Sequence, residues 1–199
     1  MGHSTGCQNS IHYLTKHLLS DNSKLTENSN IDGIILQASV SDQEAISSTL
    51  DPTKYESLIQ EVQNEYIAKG KSNDILPEKF RKTNWGVPIT AYRFNSLFSK
   101  RGDDDFFSSY LTDEELGESF GKISKPLLLV YSGSDQFVPA SIDKKELVSR
   151  FQKATPIELW SKYSKIIDGG SHNLGDDSEN DQVIDELINA VTSFIENGV

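Results

Sequence analysis

Two short runs of almost unbroken apolar residues do most to limit what this chain can become. They are Ile31-Asp32-Gly33-Ile34-Ile35-Leu36-Gln37-Ala38 and Lys125-Pro126-Leu127-Leu128-Leu129-Val130-Tyr131-Ser132. Neither alternates apolar with polar residues, and turn residues bound both. They read as strands buried on both faces, which is the habit of inner strands in a parallel sheet. Tyr163-Ser164-Lys165-Ile166-Ile167-Asp168, closed by Gly169-Gly170, reads as a third, weaker strand. Parallel neighbours need crossover connections, usually helical, and the sequence offers them. Gly6 to Leu19 sets Ile11, Leu14, Leu18 and Leu19 on one helical face, Asp143 to Gln152 forms another candidate, and Glu179 to Glu196 spaces Val183, Ile184, Leu187, Ile188, Val191, Phe194 and Ile195 at helical period. The expected class is α/β: a parallel sheet with helices on both faces, in one domain spanning 1–199.

Residues 41–121 break that rhythm. A helical piece near Lys54 to Lys69 is followed by Pro77, Pro88 and scattered aromatics, including Trp85, Tyr92, Phe94, Phe98, Phe106 and Phe107. A connection this long is expected to be a cap or lid inserted over the sheet's edge. Trp85, Phe106 and Phe107 are its candidate substrate-facing residues. The alternative is that the aromatics form a small satellite core of the insertion itself.

Composition removes whole classes of function. With 30 acidic and 19 basic side chains the formal charge is −11, so nucleic acid and anionic membranes are not expected partners. No apolar stretch approaches the roughly 20 residues that span a bilayer. The single cysteine, Cys7, suits a reducing compartment, and no secretory leader precedes it, so a cytoplasmic location is expected. Cys7 itself reads as a small buried side chain.

Gly2-His3-Ser4-Thr5-Gly6 fits G-x-S-x-G, a sharp strand-to-helix turn that lifts a serine hydroxyl clear of a sheet. The strained serine tolerates only small neighbours, hence Gly2 and Gly6. The N–H of Thr5, at the positive end of the following helix, is placed to meet an oxyanion. A glycine-flanked loop before a helix is the plainer reading of the same five residues.

A serine needs a base, and the base needs an acid to hold its tautomer. Among the four histidines, His12 and His17 fall on the first helix as surface side chains, and His3 should point away from the serine. His172 remains, in the loop Asp168-Gly169-Gly170-Ser171-His172 after the third strand. The acid candidate is Asp135, in Ser132-Gly133-Ser134-Asp135-Gln136-Phe137-Val138-Pro139 just past the strongest strand. That is the carboxyl edge where α/β folds bind ligands. Asp135 as a turn former and His172 as an ordinary loop residue are the competing readings. The chain order Ser4, Asp135, His172 is that of α/β-hydrolases.

On these residues the chain resembles the carboxyl-terminal half of an α/β-hydrolase. Gly2-His3-Ser4-Thr5-Gly6-Cys7-Gln8 and Gly102-Asp103-Asp104-Asp105-Phe106-Phe107-Ser108-Ser109-Tyr110-Leu111 resemble more narrowly a largely fungal family that includes siderophore esterases of the fusarinine type. The resemblance implies ester substrates, such as the ester links of hydroxamate siderophores, with no metal or other cofactor in catalysis. In such folds several strands and the second oxyanion donor precede the elbow, whereas here the elbow begins at residue 2. The expected fold is therefore partial, with its amino-terminal strands missing. The 199 residues alone are expected to be a poor enzyme, with an open sheet edge inviting homo-oligomers or aggregation.

Asp103, Asp104 and Asp105 lack the alternating spacing of a calcium loop and read as an acidic loop or a capped helix start. Asp176, Asp177, Glu179 and Asp181 read as a solvated helix N-terminus. The leading function is a serine esterase acting on a small-molecule ester. Acyl transfer through the same triad, and a catalytically incompetent fragment or pseudoenzyme acting as a binding module, stand as alternatives.

Overall fold

The two apolar runs become neighbouring parallel strands. The computed structural model describes residues 1–17 and 31–198. In chain order its elements are β1 (Gly2–His3), α1 (Thr5–His12), β2 (Ile34–Gln37), α2 (Asp42–Ser47), α3 (Pro52–Glu61), α4 (Glu78–Arg81), α5 (Ala91–Phe98), α6 (Asp113–Gly117), β3 (Leu127–Ser132), α7 (Lys144–Ala154), β4 (Lys165–Ile167) and α8 (Val183–Asn197). Among the described residues the strands form one parallel sheet in the order β1-β2-β3-β4.

Every residue of β2 and β3 is buried, as continuous apolar runs require. Ile35, Leu128, Val130 and Ile167 cluster with Val183, Ala190 and Phe194 of α8 on one face. Side chains alternate along a strand, so Ile34, Leu36, Leu127 and Leu129 supply the opposite face, also buried. The strands are shorter than the sequence runs. β2 opens at Ile34, whose N–H donates to Pro126 O at 2.8 Å, and β3 opens at Leu127, one residue past a proline that has no N–H to give.

The helices depart from expectation at their ends. α1 stops at His12 and passes into a π turn over Tyr13–His17; Leu18 and Leu19 lie outside the described residues. The Asp143 side chain accepts from the N–H groups of Lys145 and Glu146 and so starts α7, a cap that commonly contributes about 1 kcal/mol. α8 begins at Val183 and not at Glu179. The N–H of Glu179 donates to Gly169 O at 2.8 Å and Asn180 Nδ2 to Asp168 O at 3.2 Å, so this stretch braces the loop after β4 instead of coiling. The acidic residues expected at a solvated helix start, Asp176, Asp177, Glu179 and Asp181, are thus all loop residues.

The chain divides into two compact units, Met1–Val40 with Ser109–Val199 and Ser41–Ser108. The second ends at Ser108, short of the expected Gly121. The reason is packing: α6, opened by a capping box of Thr112 and Glu115, lies against α7, and Phe120 stacks on Phe151 with centroids 4.8 Å apart. Arg150 of α7 donates to Asp113 Oδ1 and Ser109 O, each at 2.9 Å, and to Leu111 O. On the incoming side, Gln8 Nε2 donates to Val40 O at 3.1 Å.

The unit Ser41–Ser108 carries its own core. Asp51 caps α3 with Pro52 in its first turn, and a π turn over Val62–Ile67 follows. Leu58, Val62, Leu76, Phe80, Ile89, Phe94, Leu97 and Phe98 pack together, with Phe94 edge-on to both Phe80 and Phe98. Phe106 and Phe107 are buried, whereas Trp85 is 60% exposed. The acidic loop has a structural explanation. Asp103 accepts from the Tyr92 hydroxyl at 2.8 Å, Asp104 is buried against Arg93 and Ser96, and Asp105 accepts from Arg101 N and Ser108 Oγ. Among the described residues no cluster of three or more His, Cys, Asp or Glu is gathered as metal ligands, and no helix is long and apolar enough to cross a membrane.

Candidate active site

Ser4, Asp135 and His172 all follow strands of the parallel sheet, at the carboxyl ends of β1, β3 and β4. Parallel order thus carries three distant sequence positions to one sheet edge, where ligand sites of open α/β folds lie.

Ser4 sits between β1 and α1 at φ 52°, ψ −127°. A left-handed serine costs on the order of 1–3 kcal/mol and persists only where surroundings enforce it. The enforcement is visible. Its N–H donates to Gln37 O at 3.1 Å, its carbonyl accepts from Cys7 N at 2.8 Å, and a Cβ on Gly2 would lie 2.3 Å from Gly6 O. Gly2 is therefore required by close approach. Gly6 is different: a Cβ there meets nothing within 4 Å, so the crowding expected around both glycines falls on Gly2 alone. Thr5 is the first residue of α1, and its N–H has no acceptor within the helix. Cys7 is buried, its thiol donating to Gln37 O at 3.2 Å and Gly2 O at 3.4 Å.

Asp135 and His172 are joined. His172 Nδ1 lies 2.7 Å from Asp135 Oδ2, and both side chains are almost wholly buried. A carboxylate only accepts, so Nδ1 carries the shared proton and Nε2 is the ring nitrogen left outside this bond. The second oxygen of Asp135 accepts from Phe137 N at 2.9 Å, which fixes the carboxylate's rotation.

The loops behind this pair are braced. His172 N donates to Gln136 Oε1 at 3.1 Å, and Ser171 is held by Ser178 Oγ and Asp177 Oδ1. Gly133 is needed where it stands, since a Cβ would come within 2.6 Å of Ile167 O. Lys144 Nζ donates to Gly133 O at 2.6 Å. Burial pushes its ammonium below the usual lysine range, against the opposing pull of Asp135 and Glu179.

Sequence reasoning missed several residues here. The Phe137 ring meets His172 edge-on at 4.7 Å. His3, expected to point away from Ser4, has its ring 5.0 Å from that of His172 and donates from Nδ1 to Gln37 Oε1 at 2.5 Å. The register makes this natural, because His3 lies opposite Gln37 and paired residues share a face. Gln37 Nε2 in turn donates to Ser132 Oγ and His172 O, both at 3.3 Å. Its signal was a lone amide at the end of an apolar run. The expected cap residues Trp85, Phe106 and Phe107 all belong to the unit Ser41–Ser108, where Phe106 and Phe107 are buried and Trp85 is exposed.

Comparison with known proteins finds similar chains over nearly the whole sequence. A curated relative, the UPF0613 protein PB24D3.06c of Schizosaccharomyces pombe, is 38% identical over 209 residues, covering 98% of this chain and 64% of the relative. Fusarinine C esterase sidJ of Aspergillus fumigatus is 35% identical over 217 residues, covering 90% of this chain and 61% of that one. Esterase AN6793 of Emericella nidulans is 32% identical, covering 98% and 64%. Among solved structures, siderophore hydrolase EstB from Aspergillus fumigatus superposes with a TM-score of 0.75 at 33% identity, over 100% of this chain and 66% of that one. The chain spans less than two thirds of the length of these curated relatives, and over that span it has part of the α/β-hydrolase fold. The family model described as "Protein of unknown function (DUF1749)" matches residues 1–196, and the chain belongs to that family.

Proposed function

We propose that the protein is a serine hydrolase that cleaves carboxylic esters, with Ser4 as nucleophile, His172 as base and Asp135 as the acid that orients it. The observation that carries this reading is the buried 2.7 Å pair of His172 and Asp135, at the same strand ends as a serine held in left-handed backbone. In the reaction, Ser4 Oγ attacks the ester carbonyl while His172 Nε2 takes its proton. The tetrahedral oxyanion is met by the N–H of Thr5 at the start of α1. Collapse expels the alcohol, which receives the proton from His172. Water, deprotonated by His172, then attacks the acyl-serine, and collapse of the second tetrahedral intermediate releases the acid as His172 returns the proton to Ser4 Oγ. Every proton is carried by a protein group or water.

The names of the relatives support a narrower substrate. Fusarinine C esterase sidJ and siderophore hydrolase EstB favour the ester links of hydroxamate siderophores. In the same reading Ser41–Ser108, inserted where the chain leaves the carboxyl end of β2, serves as the cap that selects among esters, with Trp85 its most accessible aromatic. The test is labelling of the natural protein by a fluorophosphonate, with hydrolysis of p-nitrophenyl acetate and of a hydroxamate siderophore ester measured alongside. Labelling that disappears in Ser4→Ala supports the assignment. Full turnover by Ser4→Ala overturns it, and ester exchange onto an added alcohol in preference to water makes the enzyme an acyltransferase.

A further inference from the structure

Gln37 is 4% exposed and stands in an otherwise apolar strand. A primary amide so placed is costly unless all of its groups are bonded. Here they are, and the partners belong to the two halves of the site. The side-chain oxygen accepts from His3, the residue before the nucleophile, and the side-chain nitrogen donates to the carbonyl of His172 and to Ser132. The main-chain carbonyl of the same residue accepts from the N–H of Ser4. The amide's orientation is fixed by chemistry: the His172 carbonyl can only accept, so the nitrogen must face it.

Resting on the ester-hydrolase reading above, we infer that Gln37 is a positioning residue that locks the serine turn to the histidine loop. Its backbone holds Ser4 and its side chain holds His172. The spacing between nucleophile and base is thereby set by one residue, and is not left to two independent loops. Only a side chain that both donates and accepts can do this at glutamine's length. Glutamate offers acceptors alone and would set a carboxylate against the His172 carbonyl, while methionine offers neither function at similar volume. His3 extends the lock, because its ring, oriented by Gln37, packs 5.0 Å from the His172 imidazole, which also meets Phe137 edge-on and bonds Asp135.

The test uses the natural protein with Gln37→Met and Gln37→Glu, following fluorophosphonate labelling, kcat, KM and the pH dependence of kcat/KM on p-nitrophenyl acetate. Denaturant titration keeps the comparison to folded protein. Gln37→Met is expected to lower kcat about 10- to 100-fold with KM within about twofold, since misplacement by about an ångström costs that much. Gln37→Glu adds a negative charge to a surrounding that already holds Asp135 and His3, with Lys144 beyond Asp135 and Asp177 bonded to Gln136. That charge favours the imidazolium of His172, so the acid limb of the profile moves to higher pH. Wild-type kcat and an unmoved profile in both variants would overturn the inference while leaving the hydrolase reading intact. A wild-type protein that neither labels nor hydrolyses would remove both.

Discussion

His172 and Asp135 are 37 residues apart in sequence and share a buried bond of 2.7 Å from Nδ1 to Oδ2. Since the carboxylate can only accept, the bond selects one tautomer of the imidazole, the one with its basic nitrogen at Nε2. Asp135→Asn keeps the shape and loses that selection, because an amide N–H facing Nδ1 favours the opposite tautomer. Its kcat on a chromogenic ester should fall about ten-thousandfold with the melting temperature little changed. Ser4→Ala and His172→Ala should each cost roughly a thousandfold or more, and the triple variant hardly more than either, because the three act as a unit. Multiplicative losses in steady-state kinetics would show that they do not.

Gly2 and Gly6 flank the same serine and should respond in opposite ways to a methyl group. Gly2→Ala forces a Cβ against the Gly6 carbonyl and is expected to destabilise the fold by about 2–3 kcal/mol or more. Gly6→Ala enters open space in the first turn of α1, where alanine's higher helix propensity favours it by up to about 1 kcal/mol. Urea denaturation of the two variants checks the contrast, and equal losses would contradict it.

Phe107 and Trp85 separate packing from substrate selection. Phe107 is 2% exposed, so Phe107→Ala should cost about 3–5 kcal/mol of stability and reduce turnover of all esters alike through loss of folded protein. Trp85→Ala should leave stability within about 1 kcal/mol and change the ratio of kcat/KM between a short acetyl ester and a bulky one. An unchanged ratio would take Trp85 out of the substrate's path.

Tyr55 gives the unit Ser41–Ser108 a pH signature. Burial pushes its phenol above the usual 10.0; the bond from Gln43 opposes that shift, and Asp105 and Glu56 add to it. A group whose folded pKa is raised contributes stability that is complete below its unfolded pKa and is lost as pH climbs towards the folded one. The advantage of wild type over Tyr55→Phe, which also loses the hydrogen bond to Phe98 O, should therefore be largest below pH 10.0 and shrink above it. A difference that stays constant into the alkaline range would show that the phenol is not the group lost.

Much of this fold was legible because its signals were local. The two apolar strands and the order of serine, aspartate and histidine could be read from spacing alone, and their ends were misjudged by the few residues that proline and loop bonds control. The end of the inserted unit was not legible. Leu116 and Phe120 have the same apolar character as the core residues before them, and only their packing on α7 assigns them to the sheet. His3 and Gln37 were missed for a related reason. Their significance lies in the register between β1 and β2, which places them opposite each other, and no spacing along the chain encodes that pairing.

The hydrogen bonds at Val40 and Ser109 have a consequence for divergence. Gln8, in the helix that follows Ser4, holds the chain where it departs from the sheet, and Arg150 holds it where it returns. Whatever lies between leaves from and arrives at two fixed moorings. Loop-closure entropy rises only slowly with length, so insertions and replacements inside that interval strain the strand ends very little. Selection can rewrite the intervening sequence while Ser4, Asp135 and His172 keep their places at the strand ends.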